Sequence, residues 1–439
     1  MLNRLLFKRI DNSPLIVFRV IFGLLITLEA WGAIFMGWVN EKLIDPQAPF
    51  NFIGFDFIQP LPGNGMSYYY AVMGLFGVFV MIGYKYRFSI SAFTLMWTCV
   101  YLMQKSSYNN HYYLLILLCI FMMLVPANRY YSVDVKQNPS LKRFDMPSWV
   151  TVFIIAQMGI VYTFASVAKL YPGWLDGTVP EMLTRSRSFL PYIGPILKHE
   201  WAPEVMTYFG ILFDLSIIPL LLWKRTRIPM FLLAIFFHLF NSFVFWIGIF
   251  PYLSLALCLF FFPTQSVHRR LCWKKPYYDK EEIILPSHRK LFIPFLTVWF
   301  LLQLALPLRH WFIKDNVLWT EEGHRMSWRM MLRSKSGKAH YKIVDKESGQ
   351  TQWINYEDYL SEAQYGVVTT KPDVIWQFCQ RLEKIYAEKG KDIEIYVNCK
   401  ISVNGKEYRR LIDPKVDMAA AEWNYFSHNE WLLPEPEEY

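Results

Sequence analysis

Through about residue 307 the chain alternates long apolar runs with short polar loops, and beyond it apolar and polar positions interleave at close spacing. Nine runs read as spans: residues 14–39, 67–83, 88–103, 111–126, 149–168, 206–222, 228–248, 250–263 and 291–307. About 20 helical residues cross a hydrocarbon core, and in lipid a helix satisfies its own backbone where a loop does not. The pattern predicts an α-helical polytopic membrane bundle of about nine transmembrane helices over residues 1–307. Pro251 tightens the junction between the seventh and eighth runs, and eight crossings satisfy the pattern as well.

The remainder, 308–439, reads as a separate β-rich domain. Strand-like stretches at 394–402 and 408–412 flank Val403-Asn404-Gly405-Lys406, and Asn-Gly between such runs is a hairpin signal. Residues 372–389 read as a helix, with a proline in the first turn and Gly390 as its stop. The expectation is a small β-rich domain with at least one helix, resting on one mouth of the bundle.

Charge orients this arrangement. The formal net charge of +9 does not indicate nucleic acid, because the basic residues gather in short loops between apolar runs. With nine spans, one set of loops holds nineteen Lys and Arg and the other holds Lys42, Lys105, Arg185, Arg187 and Lys198. The positive-inside rule then places the N-terminus in the cytoplasm and the C-terminal domain outside, with membrane lipid as the surrounding partner. The start lacks a long h-region and a small-residue cleavage site, so the first span is expected to direct insertion. The six cysteines show no metal-binding spacing, and no metal is expected. Cys379 and Cys399 are the pair that could form a disulfide.

Three polar constellations interrupt the apolar runs. Lys169 closes the fifth run, five residues before Trp174. It reads either as an interfacial lysine snorkelling to water or as a partly buried amine whose charged form is disfavoured, suited to a general base. Asn109-Asn110-His111 opens the fourth run at the same depth. Asn109 suits a helix cap, and His111 is either interfacial or a group that moves protons near neutral pH. Asp214, His238 and Asn241 lie inside the sixth and seventh runs. Polar groups at such depth face the bundle interior, either joining helices or walling a pocket for a flat apolar ligand such as a quinone. Glu29 is similar in kind, and Arg19 is expected to snorkel to its own side of the membrane.

Taken together these segments resemble the vitamin K-dependent gamma-glutamyl carboxylase family, with its bacterial horizontally transferred transmembrane homologues. The likeness runs through Lys105-Ser106-Ser107-Tyr108-Asn109-Asn110-His111, Ala127 to Asp134, Ala168-Lys169-Leu170 with Trp174 and Gly177, and Phe237-His238 to Phe250. In the C-terminal part it runs through Ser327 to Met331 and through Asp413 to Asp417 with Trp423. The resemblance implies that Lys169 deprotonates vitamin K hydroquinone, or a menaquinol-type quinol. Molecular oxygen then converts the quinol to its epoxide by way of a strong base, which takes a γ-proton from peptide glutamate, and the carbanion captures carbon dioxide. It implies that His111 assists at the reacting centre with Asn110 beside it, and that Trp328 and His324 lie near the substrate mouth. An ammonium cannot accept a proton, so this chemistry needs a neutral amine in a site that excludes water.

Departures from the family bear on the substrate. Vertebrate members carry a lysine pair where this chain has Ala168-Lys169, and a long C-terminal region absent here. The family more often shows a tyrosine near His324. The loop between the first two spans has no cysteine, so a family-type disulfide from it is excluded. A glutamate-containing peptide remains the expected substrate, whereas propeptide-guided multiple carboxylation is not implied. Alternatives are a quinol-dependent oxidase or epoxidase with another acceptor, and a membrane transporter. No repeated halves or paired broken helices favour the transporter. Short length suggests a bacterial inner membrane.

Overall fold

The computed structural model describes residues 2–280 and 282–437. Each of the nine apolar runs is helical: α1 (Ser13–Phe35), α2 (Gly65–Ile82), α3 (Tyr86–Met103), α4 (Asn110–Leu124), α5 (Trp149–Val167), α6 (Trp201–Leu222), α7 (Arg227–Phe245), α8 (Phe250–Leu257) and α9 (Arg289–Leu308). Six of them, α1, α2, α5, α6, α7 and α9 with its 3-10 extension to Phe312, are long and apolar enough to cross a membrane. These helices fit a membrane protein. Helix α3 carries Arg87, Ser89, Ser91, Thr94 and Thr98, which lower its hydropathy, and α4 has only 15 residues.

The eighth run differs from its expected straight span. Helix α8 ends at Leu257, a 3-10 turn carries the chain to Phe261, and a further helix, Thr264–Leu271, leaves at a bend of 117°. Pro263 stands at the break, where it offers no N–H to continue a helix. Helix α1 packs closely against α2. A Cβ on Gly77 would lie 2.6 Å from Thr27 Oγ1, and one on Gly23 would lie 2.4 Å from the Met81 backbone. Small residues let two backbones approach to this degree.

At one end of the bundle, strands β1 (Arg9–Asp11) and β2 (Asp145–Pro147) pair antiparallel and tie the start of α1 to the start of α5. Lys275 reaches Asp11 at 2.6 Å, with both side chains fully buried. Arg19 does not snorkel to water: it is buried and donates to the carbonyls of Ala127, Tyr130 and Tyr131 at 3.1, 3.2 and 2.5 Å.

The opposite end carries the C-terminal part. There β3 (Lys335–Asp345), β4 (Thr351–Ile354), β5 (Ile393–Val403) and β6 (Arg409–Arg410) form an antiparallel sheet in the order β4-β3-β5-β6. Helix α10 (Pro372–Ala387) joins the sheet in a shared apolar core. The expected hairpin joins β5 to β6, and Asn404 and Gly405 take φ of 55° and 76°, the left-handed pair such a turn requires. Cys379 and Cys399 are both buried in this core as free thiols, not the disulfide expected as an option.

Beyond the chain connection after α9, the β-containing part is held to the bundle by non-covalent contacts, with all six cysteines free. Phe50, in the loop after α1, is buried in the core of the β-containing part, and Arg381 lies 4.7 Å over its ring. Arg381 also donates to Pro49 O at 2.7 Å, and Gln364 to Ala48 O at 3.0 Å. Beside them Asp373, at the start of α10, sits 2.7 Å from both Lys105 and Arg325. Burial alone would raise the Asp373 carboxyl, yet Arg325 and Lys105 hold it well below the usual carboxylate range. Burial pushes the Lys105 amine down to about 8 against the pull of Asp373. Removing one partner of a buried pair strands the others, typically at about 3–5 kcal/mol. Asp373→Asn is therefore expected to destabilise the docked state by about that amount, read as a lowered thermal midpoint and faster proteolysis of the β-containing part in nanodiscs.

Candidate active site

The residues with chemical potential gather at the end of the bundle that carries the sheet. Helix α5 stops at Val167, and Ala168 and Lys169 form a turn after it. The Lys169 side chain folds back along the helix instead of reaching outward. Its Nζ donates to Ala165 O at 3.1 Å and to Asp214 Oδ2 at 2.5 Å, and lies 5.6 Å from the Trp174 ring. The two side chains are 12% and 7% exposed, so this lysine does not snorkel.

The pair sits in a seam between antiparallel helices. On α6, Thr207, Gly210, Asp214, Ile217 and Leu221 are buried at spacings of three and four, one face of a helix. On the opposing side stand Tyr162 and Ser166 of α5, with Lys169 in the turn that follows it. Ser166 Oγ donates to Ile211 O at 3.1 Å, and Trp174 Nε1 to Thr207 O at 3.3 Å. The positions 162, 166 and 169 can be read as one side from helical spacing, but nothing in the sequence singles out Tyr162 as one of its functional members.

Tyr162 links the amine's seam to the histidines. Its hydroxyl lies 2.8 Å from His238 Nε2, and it stands within electrostatic reach of Asp214. The His238 ring meets Phe250 edge-on at 6.1 Å, and His111 stacks on Phe250 at 4.3 Å and 18°. Phe213 and Phe237 stack at 3.8 Å beside them. Thus His111 and His238 meet on Phe250 of α8, and Tyr162 connects His238 to the seam that holds Lys169 and Asp214. Asn241, one turn along α7 from His238, is half-buried and lies outside this network among the described residues.

Beneath them is an apolar cavity of about 10 Å³, lined by residues that include Leu114, Gln157, Tyr162, Phe250 and Leu257. It has room for about one water. Gln157 accepts from Trp299 at 3.1 Å through Oε1, while its buried Nε2 has no partner among the described residues. The space is far smaller than the roughly 300 Å³ of a small-molecule pocket, so the unpaired donor marks a polar spot on an aromatic and aliphatic slot and not a formed ligand site.

Asn109, Asn110 and His111 each do something different. Asn109 caps α4 by accepting from Tyr112 N at 2.8 Å, as the sequence predicts. Asn110 turns toward the segment before β3: it accepts from Trp328 N at 3.2 Å and Tyr108 Oη at 2.8 Å, and donates to Arg329 O at 3.0 Å. That segment is strained, with φ of 64° at Glu321, 58° at Met326, 59° at Trp328 and 53° at Met331. Trp328 is fully buried, 5.3 Å from the Tyr113 ring, and belongs to the bundle's core. His324 stands 6.4 Å from Tyr108, and burial with Arg333 nearby holds its imidazole well below the usual range. Glu321 is ringed by Arg333, Lys335 and Lys371; burial opposes its charge, but these cations hold it well below its ordinary value.

Apolar helices capped by a sheet, with an amine and a carboxylate paired beneath the cap, define a polytopic membrane protein with an enclosed polar centre. Residues 7–265, more than half of the chain, match the family model of the HTTM domain, and residues 288–438 match that of the vitamin K-dependent gamma-carboxylase lumenal domain. The chain belongs to the vitamin K-dependent gamma-glutamyl carboxylase family. No solved structure matches it. The family points to a carboxylase-type enzyme that uses vitamin K and acts on glutamate-containing substrates.

Asn110→Ala leaves the Trp328 N–H and the Arg329 carbonyl unpaired in a buried joint. The expected destabilisation is about 1–3 kcal/mol for each of the two groups, measured as a shift of the thermal midpoint in detergent or nanodiscs.

Proposed function

We propose that this chain couples oxygenation of vitamin K hydroquinone, or a menaquinol-type quinol, to carboxylation of glutamate in a peptide, with Lys169 as the general base. The observation that carries this reading is the inward fold of the Lys169 side chain, 12% exposed and bonded to Asp214 at 2.5 Å, in a chain of this family. Residues 1–307 form the catalytic membrane domain with nine crossings, counting α3, α4 and α8. Residues 308–439 form the extracytoplasmic domain. The nineteen-to-five loop asymmetry supports this orientation, in an inner bacterial membrane.

The chain's own residues divide the work. Phe213, Phe237 and Phe250 supply flat walls, and Gln157, Tyr162 and His238 supply polar contacts for a ring bearing oxygens. The cavity beside these residues holds about one water, so quinol binding requires it to widen. When bound, the reduced vitamin supplies, with oxygen, a base strong enough to remove a glutamate γ-proton. Lys169 Nζ takes the proton of an acidic hydroxyl, and the enclosed site keeps bulk water from quenching the glutamate carbanion. His111, half-buried on Phe250, orients or stabilises the substrate carboxylate. Trp328, Asn110 and His324 shape the mouth where the peptide approaches, and carbon dioxide and oxygen are co-substrates.

Reconstitution with vitamin K hydroquinone, oxygen, labelled bicarbonate and a glutamate-containing peptide tests the reading. Epoxide together with labelled peptide supports it. Epoxide without label supports an oxidase with another acceptor, and neither product supports a transporter. Lys169→Ala is expected to lower epoxide formation by about 10²–10⁴-fold with the fold retained, the typical worth of a general base. Lys169→Arg keeps a cation opposite Asp214 but holds its protons too tightly to become a free base, so it is expected to be equally inactive. Native turnover in either variant overturns the assignment. His111→Ala is expected to lose more carboxylation than epoxidation, and equal loss of both places it away from the peptide.

A further inference from the structure

Resting on the reading of Lys169 as the base, we propose that Asp214 is a positioning residue that acts as the proton partner of Lys169, so the amine is freed by moving its proton to Asp214 and not to water. Four observations meet here. The carboxylate oxygen is 2.5 Å from Nζ, and both side chains are largely enclosed. The amine also donates to Ala165 O, an acceptor that cannot take its proton. Asp214 lies on a buried stripe of α6 that faces α5 along its length. The polar groups beside the pair are Tyr162, within electrostatic reach of Asp214, and His238, bonded to Tyr162; neither supplies a second charge as a neutral side chain.

The proton balance is closed. In the resting pair one proton is shared by an ammonium and a carboxylate, and the net charge is zero. Transfer from Nζ to Oδ2 breaks an N–H bond, forms an O–H bond and leaves the pair neutral, now with a free electron pair on nitrogen. That electron pair then takes a proton from an acidic hydroxyl of the substrate, whose bonding electrons stay on oxygen. The pair gains one positive charge as the substrate gains one negative charge, so the enclosed site remains neutral throughout. A lone lysine would instead have to release its proton to bulk water through apolar walls. The arrangement follows the wider logic in which a base is oriented by a third group that also stabilises its protonated form.

The test is Asp214→Asn in the full-length chain in nanodiscs, assayed for vitamin K epoxide from the hydroquinone and oxygen across pH. The amide keeps size and one acceptor but neither takes the proton nor balances the ammonium. The plateau rate is expected to fall about 10²-fold or more, the low end of general acid–base contributions. The acid limb of the profile is expected to move to lower pH by about one unit or more, because removing a close opposite charge favours the uncharged amine. Asp214→Glu, with its carboxylate retained, is expected to keep the limb at the native position, and it serves as the second variant where the amide lowers folding yield. A native plateau in Asp214→Asn, or a fallen plateau with an unmoved limb, overturns the proposal, as does a limb moved equally by Asp214→Glu. If Lys169→Ala retains epoxidation, the underlying reading fails whatever Asp214 does; if Lys169→Ala is inactive and Asp214→Asn behaves as native, only this inference fails.

Discussion

A charge enclosed in an apolar bundle persists only beside an opposite charge or a set of dipoles that replace water, because its desolvation is otherwise too costly. Four enclosed groupings in this protein obey that constraint, and the partners explain the architecture. Lys275 and Asp11 lock the end where β1 and β2 meet, and Arg19 takes three carbonyls there. Lys105, Arg325 and Asp373 lock the other end to the β-containing part. Lys169 and Asp214 lie between two helices where neither end needs locking. The groupings at the two ends bind elements that would otherwise separate. The amine and carboxylate join helices that Ser166, Thr207 and Trp174 also hold together.

The joint between bundle and sheet shows how this family's architecture survives without a disulfide here. Phe50 contributes an aromatic side chain to the core of the β-containing part, and burying such a side chain is worth about 1.5–3 kcal/mol. The three-charge group adds directionality, since Asp373 must stand between two cations that come from different segments. The strained run from Glu321 to Met331 is the third element. Bulky residues at positive φ cost about 1–3 kcal/mol each and persist only where surroundings over-determine them. Asn110 and the buried Trp328 side chain supply that constraint.

Much of this plan is legible before any coordinates. Hydropathy marks the nine helices, and Asn404-Gly405, Gly390 and Asn109 mark a turn, a stop and a cap through local chemistry that tertiary contacts do not override. Lys169, Asp214, His238 and His111 stand out because ionisable residues are rare in apolar runs. Their pairing is hidden. Asp214 reads either as a group joining helices or as a pocket wall until α6 is set antiparallel to α5, and only the register of the two helices reveals that its carboxylate meets the amine. The break at Pro263 is hidden for a related reason: the apolar run continues up to it, and composition cannot tell a straight crossing from a bent one. Tyr162 is hidden because a tyrosine in an apolar helix is common, and only its hydroxyl's contact with His238 distinguishes it. The options left open for Cys379 and Cys399 close once both are seen packed as thiols.

The succession Asn109, Asn110, His111 ties the β-containing part to the aromatic cluster around Phe250. A helix turns 100° per residue, so three successive side chains point in three directions. Here the first closes the helix end, the second clasps the Trp328 segment and the third lies on Phe250. The docking of the β-containing part is thereby coupled to the position of an imidazole through one rigid turn. Phe250 carries that coupling onward, because its ring touches His111 on one side and His238 on the other, and His238 is bonded through Tyr162 to the seam of Lys169. Aromatic and hydrogen-bonded contacts thus run from His111 through Phe250 and His238 to Tyr162, which stands on the helix that ends at the amine. The start of α4 therefore joins three environments, the helix cap, the Trp328 segment and the Phe250 ring, through residues adjacent in sequence.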